Sequence, residues 1–269
     1  MKTIIALVDF SDASTNAVSF AAELSKRSSA RLSIVNILQK GEEEDEVKMK
    51  LHSLESALKK SIGFESRCES LLAHGNLIPT IKKIIAVQQP DIIVMGTKGA
   101  SGLKKILIGS NTVNVIANTR VPVLVIPEVA RFENFFKTGK NRIVLATDLD
   151  LLENERALDI LKEIALLIIE PKVRVLSVRP KNTGLPDVKR MERDFLLSFF
   201  NPEIESERVT VFSSSVIGGI NFYLSEKNTD TGLLAMIARE SGHLIQKHYT
   251  REMASHTHLP LLVLHDSKN

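Results

Sequence analysis

The residues best suited to chemistry in this chain of 269 residues are glycines that lie in one short segment. Two residues separate Gly96 from Gly99, and nine more separate Gly99 from the pair Gly109–Ser110. Glycine can adopt positive φ and approach a ligand closely, and the unpaired N–H groups at the start of a helix favour negative charge. An apolar run, Ile92–Met95, precedes the segment and a helical pattern follows it. The spacing therefore predicts a phosphate-binding loop between a strand and a helix.

Apolar runs and helical patterns alternate along the first half of the chain. The predicted strands lie near residues 3–8, 31–38, 66–72, 91–95 and 121–126. The predicted helices lie near residues 13–28, 46–60, 77–88 and 110–118. This alternation is typical of an α/β fold, in which a mostly parallel sheet, here of five strands, carries helices on both faces.

The second half of the chain repeats the first. Ile4–Asp9 is echoed by Ile143–Asp148 at an offset of 139 residues, and Val121–Ile126 is echoed by Leu259–Leu264 at an offset of 138. Corresponding apolar runs lie near 142–147, 172–178, 207–212, 231–236 and 259–264. We therefore expect two tandem domains, residues 1–130 and 141–269, joined by a linker at 131–140.

Composition narrows the class of protein. No apolar run approaches the roughly 20 residues that span a bilayer, and the start of the chain is not typical of a signal peptide. The net charge of +3 is small and the basic residues are dispersed, which argues against a nucleic-acid surface. The single cysteine, Cys68, allows no internal disulfide and indicates a reducing compartment. We expect a cytoplasmic protein in which Cys68 is inert.

The glycine spacing resembles the nucleotide loop of the universal stress protein family, Gly-x2-Gly-x9-Gly-Ser/Thr. The resemblance extends over essentially the whole chain, strongly for residues 1–127 and only in outline for 141–266. It implies two tandem open-sheet domains, each with the strand order 3-2-1-4-5. In such a sheet ligands bind at the carboxyl ends of the strands, where the first and fourth strands are neighbours.

The resemblance also implies which residues of the first domain contact an adenine nucleotide, either ATP or AMP/ADP, with or without Mg2+. Asp9 matches the family's acidic residue at the nucleotide, although an Asp at this position also suits a helix cap. Ile37 matches the aliphatic residue of the adenine pocket, and Met95 and Gly96 match the strand end beside the ribose. The positions that match the phosphate loop are Gly99, Gly109, Ser110 and Asn111, followed by a further hydroxyl at Thr112.

The second domain departs from this pattern. At the offset of 139, Ala235 and Ala238 replace two glycines, and the bulky segment Lys247–Tyr249 replaces the third. We predict that this degenerate domain does not bind nucleotide in the family manner and serves as a pseudo-dimer partner, with His243, His248 and Tyr249 filling the site. Five of the seven histidines lie here, but their spacing matches no zinc signature, so we expect no metal site.

The leading hypothesis is a stress-related regulatory protein that binds ATP or another adenine nucleotide in its N-terminal domain. No residues with a catalytic arrangement stand out, and the resemblance implies at most slow ATP hydrolysis. One alternative is a slow ATP hydrolase or nucleotidyl-transfer enzyme, in which Asp9 positions Mg2+ and Ser110 contacts the phosphates. The other is an interaction scaffold without a nucleotide. We expect neither nucleic acid nor membrane as a partner, and a homodimer beyond the internal pseudo-dimer stays open.

Overall fold

The structure is a computed structural model that describes residues 1–62, 67–97, 110–133, 142–181, 183–226, 230–239 and 259–266. The chain divides into two compact units, Met1–Ala130 and Arg131–Asn269. Most of the predicted linker, residues 134–140, lies outside the described residues.

The first unit is a five-stranded parallel sheet with the order β3-β2-β1-β4-β5. Its strands are β1 (Thr3–Leu7), β2 (Arg31–Leu38), β3 (Cys68–His74), β4 (Ile92–Thr97) and β5 (Val123–Pro127). Its helices are α1 (Asp12–Ser28), α2 (Glu44–Ile62), α3 (Leu77–Gln88) and α4 (Ser110–Asn118). The predicted α/β fold and the strand order implied by the resemblance are confirmed in this unit.

The central strands are apolar because helices cover the sheet. Ile4, Ile92 and Ile93 are fully buried, as expected for strands of a parallel sheet. Helix α1 packs against the sheet with Phe20 and Leu24 among its buried residues. Strand β1 lies between β2 and β4. The chain therefore continues from β1 to β2 on one side of β1, and it later enters β4 on the other side of β1. This arrangement opens a crevice at the carboxyl ends of β1 and β4.

The second unit has the same topology, with the parallel order β10-β9-β6-β7-β8. Its strands are β6 (Arg142–Ala146), β7 (Lys172–Arg179), β8 (Glu205–Phe212), β9 (Thr231–Arg239) and β10 (Leu261–Asp266). Its helices are α5 (Asp159–Leu166), α6 (Asp187–Phe200) and α7 (Val216–Glu226), and a short 3-10 helix (Glu155–Leu158) precedes α5. The order within this unit is again 3-2-1-4-5.

Among the helices that the structure describes, none combines the length and the apolar character needed to cross a bilayer.

Candidate functional site

A cavity of about 290 Å³ lies at the carboxyl ends of β1, β2 and β4 in the first unit. Four segments that are distant in sequence meet there: the end of β1 with the start of α1, the end of β2, the start of α3, and the end of β4 with the start of α4. Six of the nine residues predicted for the site line this cavity: Asp9, Ile37, Met95, Gly96, Asn111 and Thr112. Ser110 is the exposed first residue of α4 and is not in the lining. Gly99 and Gly109 lie outside the described residues.

Asp9 organises the turn that begins α1. Its Oδ1 accepts hydrogen bonds from the Ser11 N–H at 3.0 Å and from the Ser11 Oγ at 2.5 Å. Ser11 in turn caps the helix, because its Oγ accepts from the Ser14 N–H at 3.3 Å. Asp9 therefore supports the helix cap and also borders the cavity, so the two roles considered for it are compatible.

Gly96 lies where β4 and the start of α1 approach each other closely. A Cβ atom at this position would lie 2.3 Å from the Ala13 carbonyl oxygen and 2.6 Å from the Ser14 nitrogen. Those contacts are with backbone atoms, which cannot rotate away. The packing of α1 against β4 thus requires glycine here without any ligand, a reason that the sequence pattern did not supply.

Thr112 anchors α4 to the end of β4. This residue is 3% exposed, and its Oγ1 donates a hydrogen bond to the Gly96 carbonyl oxygen at 3.3 Å. The hydroxyl predicted for the site thus has a structural partner within the cavity wall. Because α4 begins two residues earlier, at Ser110, this bond also fixes the position of the helix N-terminus beside the cavity.

Sequence reasoning missed Gln39 and Leu77, which also line the cavity. Gln39 directly follows the end of β2, and Leu77 follows the end of β3 as the first residue of α3. Both positions follow the carboxyl end of a parallel strand. That topological signal was available in the sequence, but neither residue type suggested chemistry.

The second unit has no glycine at the position equivalent to Gly96, although the exact counterpart differs from the prediction. In the first unit Leu7 pairs with Met95, and in the second Ala146 pairs with Met236. The structural counterpart of Gly96 is therefore Ile237 rather than Ala235. The offset of 139 was wrong at this strand because the second unit carries two more residues between its first and fourth strands.

A buried charged network occupies the corresponding crevice of the second unit. The Arg239 side chain, at the end of β9, donates to Asp266 Oδ2 at 2.8 Å and to the carbonyl oxygens of Leu151 and Asp150 at 2.6 and 2.5 Å. Asp266 is 2% exposed, and its Oδ1 also accepts from the N–H groups of Glu153 and Asn154 at 2.9 Å. A guanidinium group of the protein itself thus lies at the strand ends that correspond to the cavity of the first unit.

Two further carboxylates border this network. Asp148, the counterpart of Asp9, has its Oδ1 3.7 Å from Arg239 Nε, and burial raises its pKa. Burial likewise raises the pKa of Glu192 on α6, which is 4% exposed. His243, His248 and Tyr249, predicted to fill this site, lie outside the described residues, as does the segment Lys247–Tyr249 as a whole.

Comparison with known proteins gives its most direct match over the first unit. Residues 1–127 match the model of the universal stress protein family. The first unit of the chain belongs to this family. A universal stress protein of Methanocaldococcus jannaschii is 37% identical over 82 residues, which are 30% of this chain and about half, 49%, of that relative. A universal stress protein of Thermus aquaticus is 28% identical over 134 residues, 46% of this chain and 98% of that relative.

The solved structures show that the two-unit fold also occurs in universal stress proteins. A universal stress protein from Archaeoglobus fulgidus superimposes with a TM-score of 0.74 and 19% identity, and the match covers 98% of each chain. A protein from Pseudomonas aeruginosa described as a putative universal stress protein has a TM-score of 0.64 and 13% identity, over 98% of this chain and 93% of its own. At these identities the likeness shows the fold alone.

Proposed function

We propose that this universal stress protein is a stress-related regulator that binds an adenine nucleotide in the cavity of its first unit. The observation that carries the proposal is the convergence of Asp9, Ile37, Met95, Gly96, Asn111 and Thr112 on one cavity. These residues were selected from a sequence resemblance alone, and they come from separate segments. They meet at the switch between β1 and β4, which is the place where an open parallel sheet binds ligands.

The cavity has a composition suited to a nucleoside. Ile37 and Met95 are 7% and 6% exposed and give it apolar walls, whereas Asp9, Asn111 and Thr112 add polar groups. Its volume lies near the lower end of the range for small-molecule sites, roughly 300–1,000 Å³. A base and sugar fit this scale, and we propose that the phosphates extend toward the N-terminus of α4 and the glycine segment before it.

We further propose that the second unit binds no nucleotide. Arg239 already lies in its crevice, and Ile237 stands where the first unit has Gly96. A ligand would have to displace a buried guanidinium group from Asp266, and breaking such a pair costs about 3–5 kcal/mol. The regulator would then respond to whether a nucleotide is bound in the first unit.

Titration calorimetry with Mg-ATP tests the proposal. Leu77→Trp places an indole at the rim of the cavity, so we expect it to weaken binding on the order of tenfold or more, because the ring competes with the ligand for space. The matched control is Val87→Trp on the same helix, since Val87 is 83% exposed and does not line the cavity.

Wild-type protein and Val87→Trp should bind ATP with equal affinity. Absence of ATP binding by the wild type would refute the proposal. Equal affinity in the Leu77→Trp variant would refute this cavity as the site, even if ATP binds elsewhere.

A further inference from the structure

The backbone N–H and C=O groups of Ile37 face the side of β2 along which β1 lies. Strand β2 pairs with β1 up to Leu7 and Val35, and one further bond runs from the Val8 N–H to the Val35 carbonyl oxygen at 2.9 Å. Backbone groups of residues two apart in a strand point to the same side. The N–H and C=O of Ile37 therefore point beyond the end of β1, where the cavity that Ile37 lines is located.

Asn36 ends the pairing at this point. In a continued parallel ladder the Ile37 N–H would donate to the Val8 carbonyl oxygen. The Asn36 side-chain amide donates to that oxygen instead, at 2.9 Å, and Asn36 is 2% exposed. Within the part of the chain that the structure describes, the Ile37 N–H has no backbone partner on β1. A backbone donor thus remains available at the cavity.

Gln39 takes the other backbone group of Ile37. Its Nε2 donates to the Ile37 carbonyl oxygen at 2.7 Å, and since that oxygen can only accept, the facing amide atom must be nitrogen. Oε1 is then the acceptor that the side chain retains. The Gln39 N–H donates to Glu42 Oε2 at 2.6 Å, and the Glu42 N–H donates to the Gln39 carbonyl oxygen at 3.2 Å. This turn holds Gln39 at the cavity rim.

Ile37 offers a backbone donor and Gln39 a side-chain acceptor at the same cavity, and this combination matches one type of purine edge. Adenine offers an acceptor at N1 and a donor at its 6-amino group, whereas guanine offers a donor at N1 and an acceptor at O6. The order donor then acceptor complements adenine and opposes guanine at both atoms. The wrong base would place donor against donor and acceptor against acceptor, which penalises that base.

We propose that Gln39 selects the base, with its Oε1 accepting from the 6-amino group of adenine while the Ile37 N–H donates to N1. This inference rests on the proposed function, because it assigns a role within the same cavity. Gln39 then acts as a specificity-determining residue, and the Asn36 side chain acts as a positioning residue that leaves the Ile37 N–H unpaired.

The test compares ATP with purine riboside triphosphate, which lacks only the 6-amino group. Calorimetry should show that wild-type protein binds the analogue about tenfold more weakly than ATP, the scale of one hydrogen bond. Gln39→Met should bind ATP as weakly as the analogue and should no longer distinguish the two. Gln88→Met, the same change outside the cavity lining, should keep the wild-type ratio.

The outcomes separate the two proposals. Failure of the wild type to bind ATP would overturn the proposed function itself. Binding of ATP and the analogue with equal affinity by the wild type would leave the nucleotide site standing and overturn the role of Gln39. Retention of the wild-type ratio by Gln39→Met would also overturn that role.

Discussion

Adding a methyl group at position 96 tests how tightly α1 packs against β4. Gly96→Ala would bring a Cβ atom to 2.3 Å from the Ala13 carbonyl oxygen, so backbone must shift to relieve the overlap. We expect a loss of about 1–3 kcal/mol in the free energy of unfolding, the usual cost of overpacking, measured by urea denaturation.

Gly184→Ala is the control for that substitution. A Cβ atom at Gly184 would have no neighbour within 4 Å, and we expect a change within about 0.5 kcal/mol. Equal stability of the two variants would contradict the close contact between β4 and α1.

The thiol of Cys68 should be unreactive in the folded protein. Burial raises its pKa to about 11, so the nucleophilic thiolate is scarce at neutral pH. Modification by a disulfide reagent at about pH 7.5 should be slow in buffer and should become fast in concentrated urea. Rapid labelling of the folded protein would show that Cys68 is accessible and would argue against its burial.

The reasons for individual residues were harder to predict than their positions. The resemblance led to Gly96 as a nucleotide contact, but the requirement for glycine comes from the Ala13 backbone, a contact between residues 83 positions apart. Gln39 was missed because its interest lies in a bond to Ile37 that depends on where β1 ends. Neither contact can be deduced from the spacing of residues in the sequence.

At the scale of elements, α6 brings a buried carboxylate to the charged network of the second unit. Because burial raises the pKa of Glu192, the folded state holds its proton more tightly than the unfolded state does. Its contribution to stability is therefore present below the unfolded pKa and is lost as the pH rises through the folded pKa.

Glu192→Gln should remove this pH dependence. The stability of the variant relative to wild type should rise between about pH 5 and about pH 7.5, as measured by urea denaturation at both pH values. The contribution of Asp148, whose pKa is also raised, is common to both proteins.

Glu203→Gln is the control, since it removes a carboxylate whose pKa is shifted in the opposite direction. A hydrogen bond from its own backbone and one from Lys162 lower the pKa of Glu203, so its stabilising contribution is present above its unfolded pKa and is lost only as the pH falls through its folded pKa. The stability of the Glu203→Gln variant relative to wild type should therefore hardly change between about pH 5 and about pH 7.5. A Glu192→Gln variant that loses stability relative to wild type as the pH rises would contradict the account of α6.

Strands and helices were predicted well because their signals are local. The helix expected near 77–88 is α3 (Leu77–Gln88), and the strand expected near 31–38 is β2 (Arg31–Leu38). The comparison of the two halves was less accurate at β9. The second unit gains residues before this strand and loses residues after it, so the nearly equal offsets at the two ends hid the shift.

At the scale of the whole molecule, one sheet topology occurs twice, but the groups at the ends of the strands differ between the two units. The first unit has a cavity at the switch between its first and fourth strands, and the second unit has Arg239 bound to Asp266 at the corresponding place. The corresponding place thus contains a cavity in one unit and an internal ion pair in the other. We expect the chain to bind nucleotide asymmetrically.

Counting bound nucleotide tests this asymmetry most directly. Protein is incubated with a large excess of Mg-ATP and analysed by native mass spectrometry, which counts ligands on the intact chain. The account predicts one adenine nucleotide per chain in the wild type and a marked loss of occupancy in Leu77→Trp. Two nucleotides per chain would contradict the closed second unit, and none would contradict the nucleotide site itself.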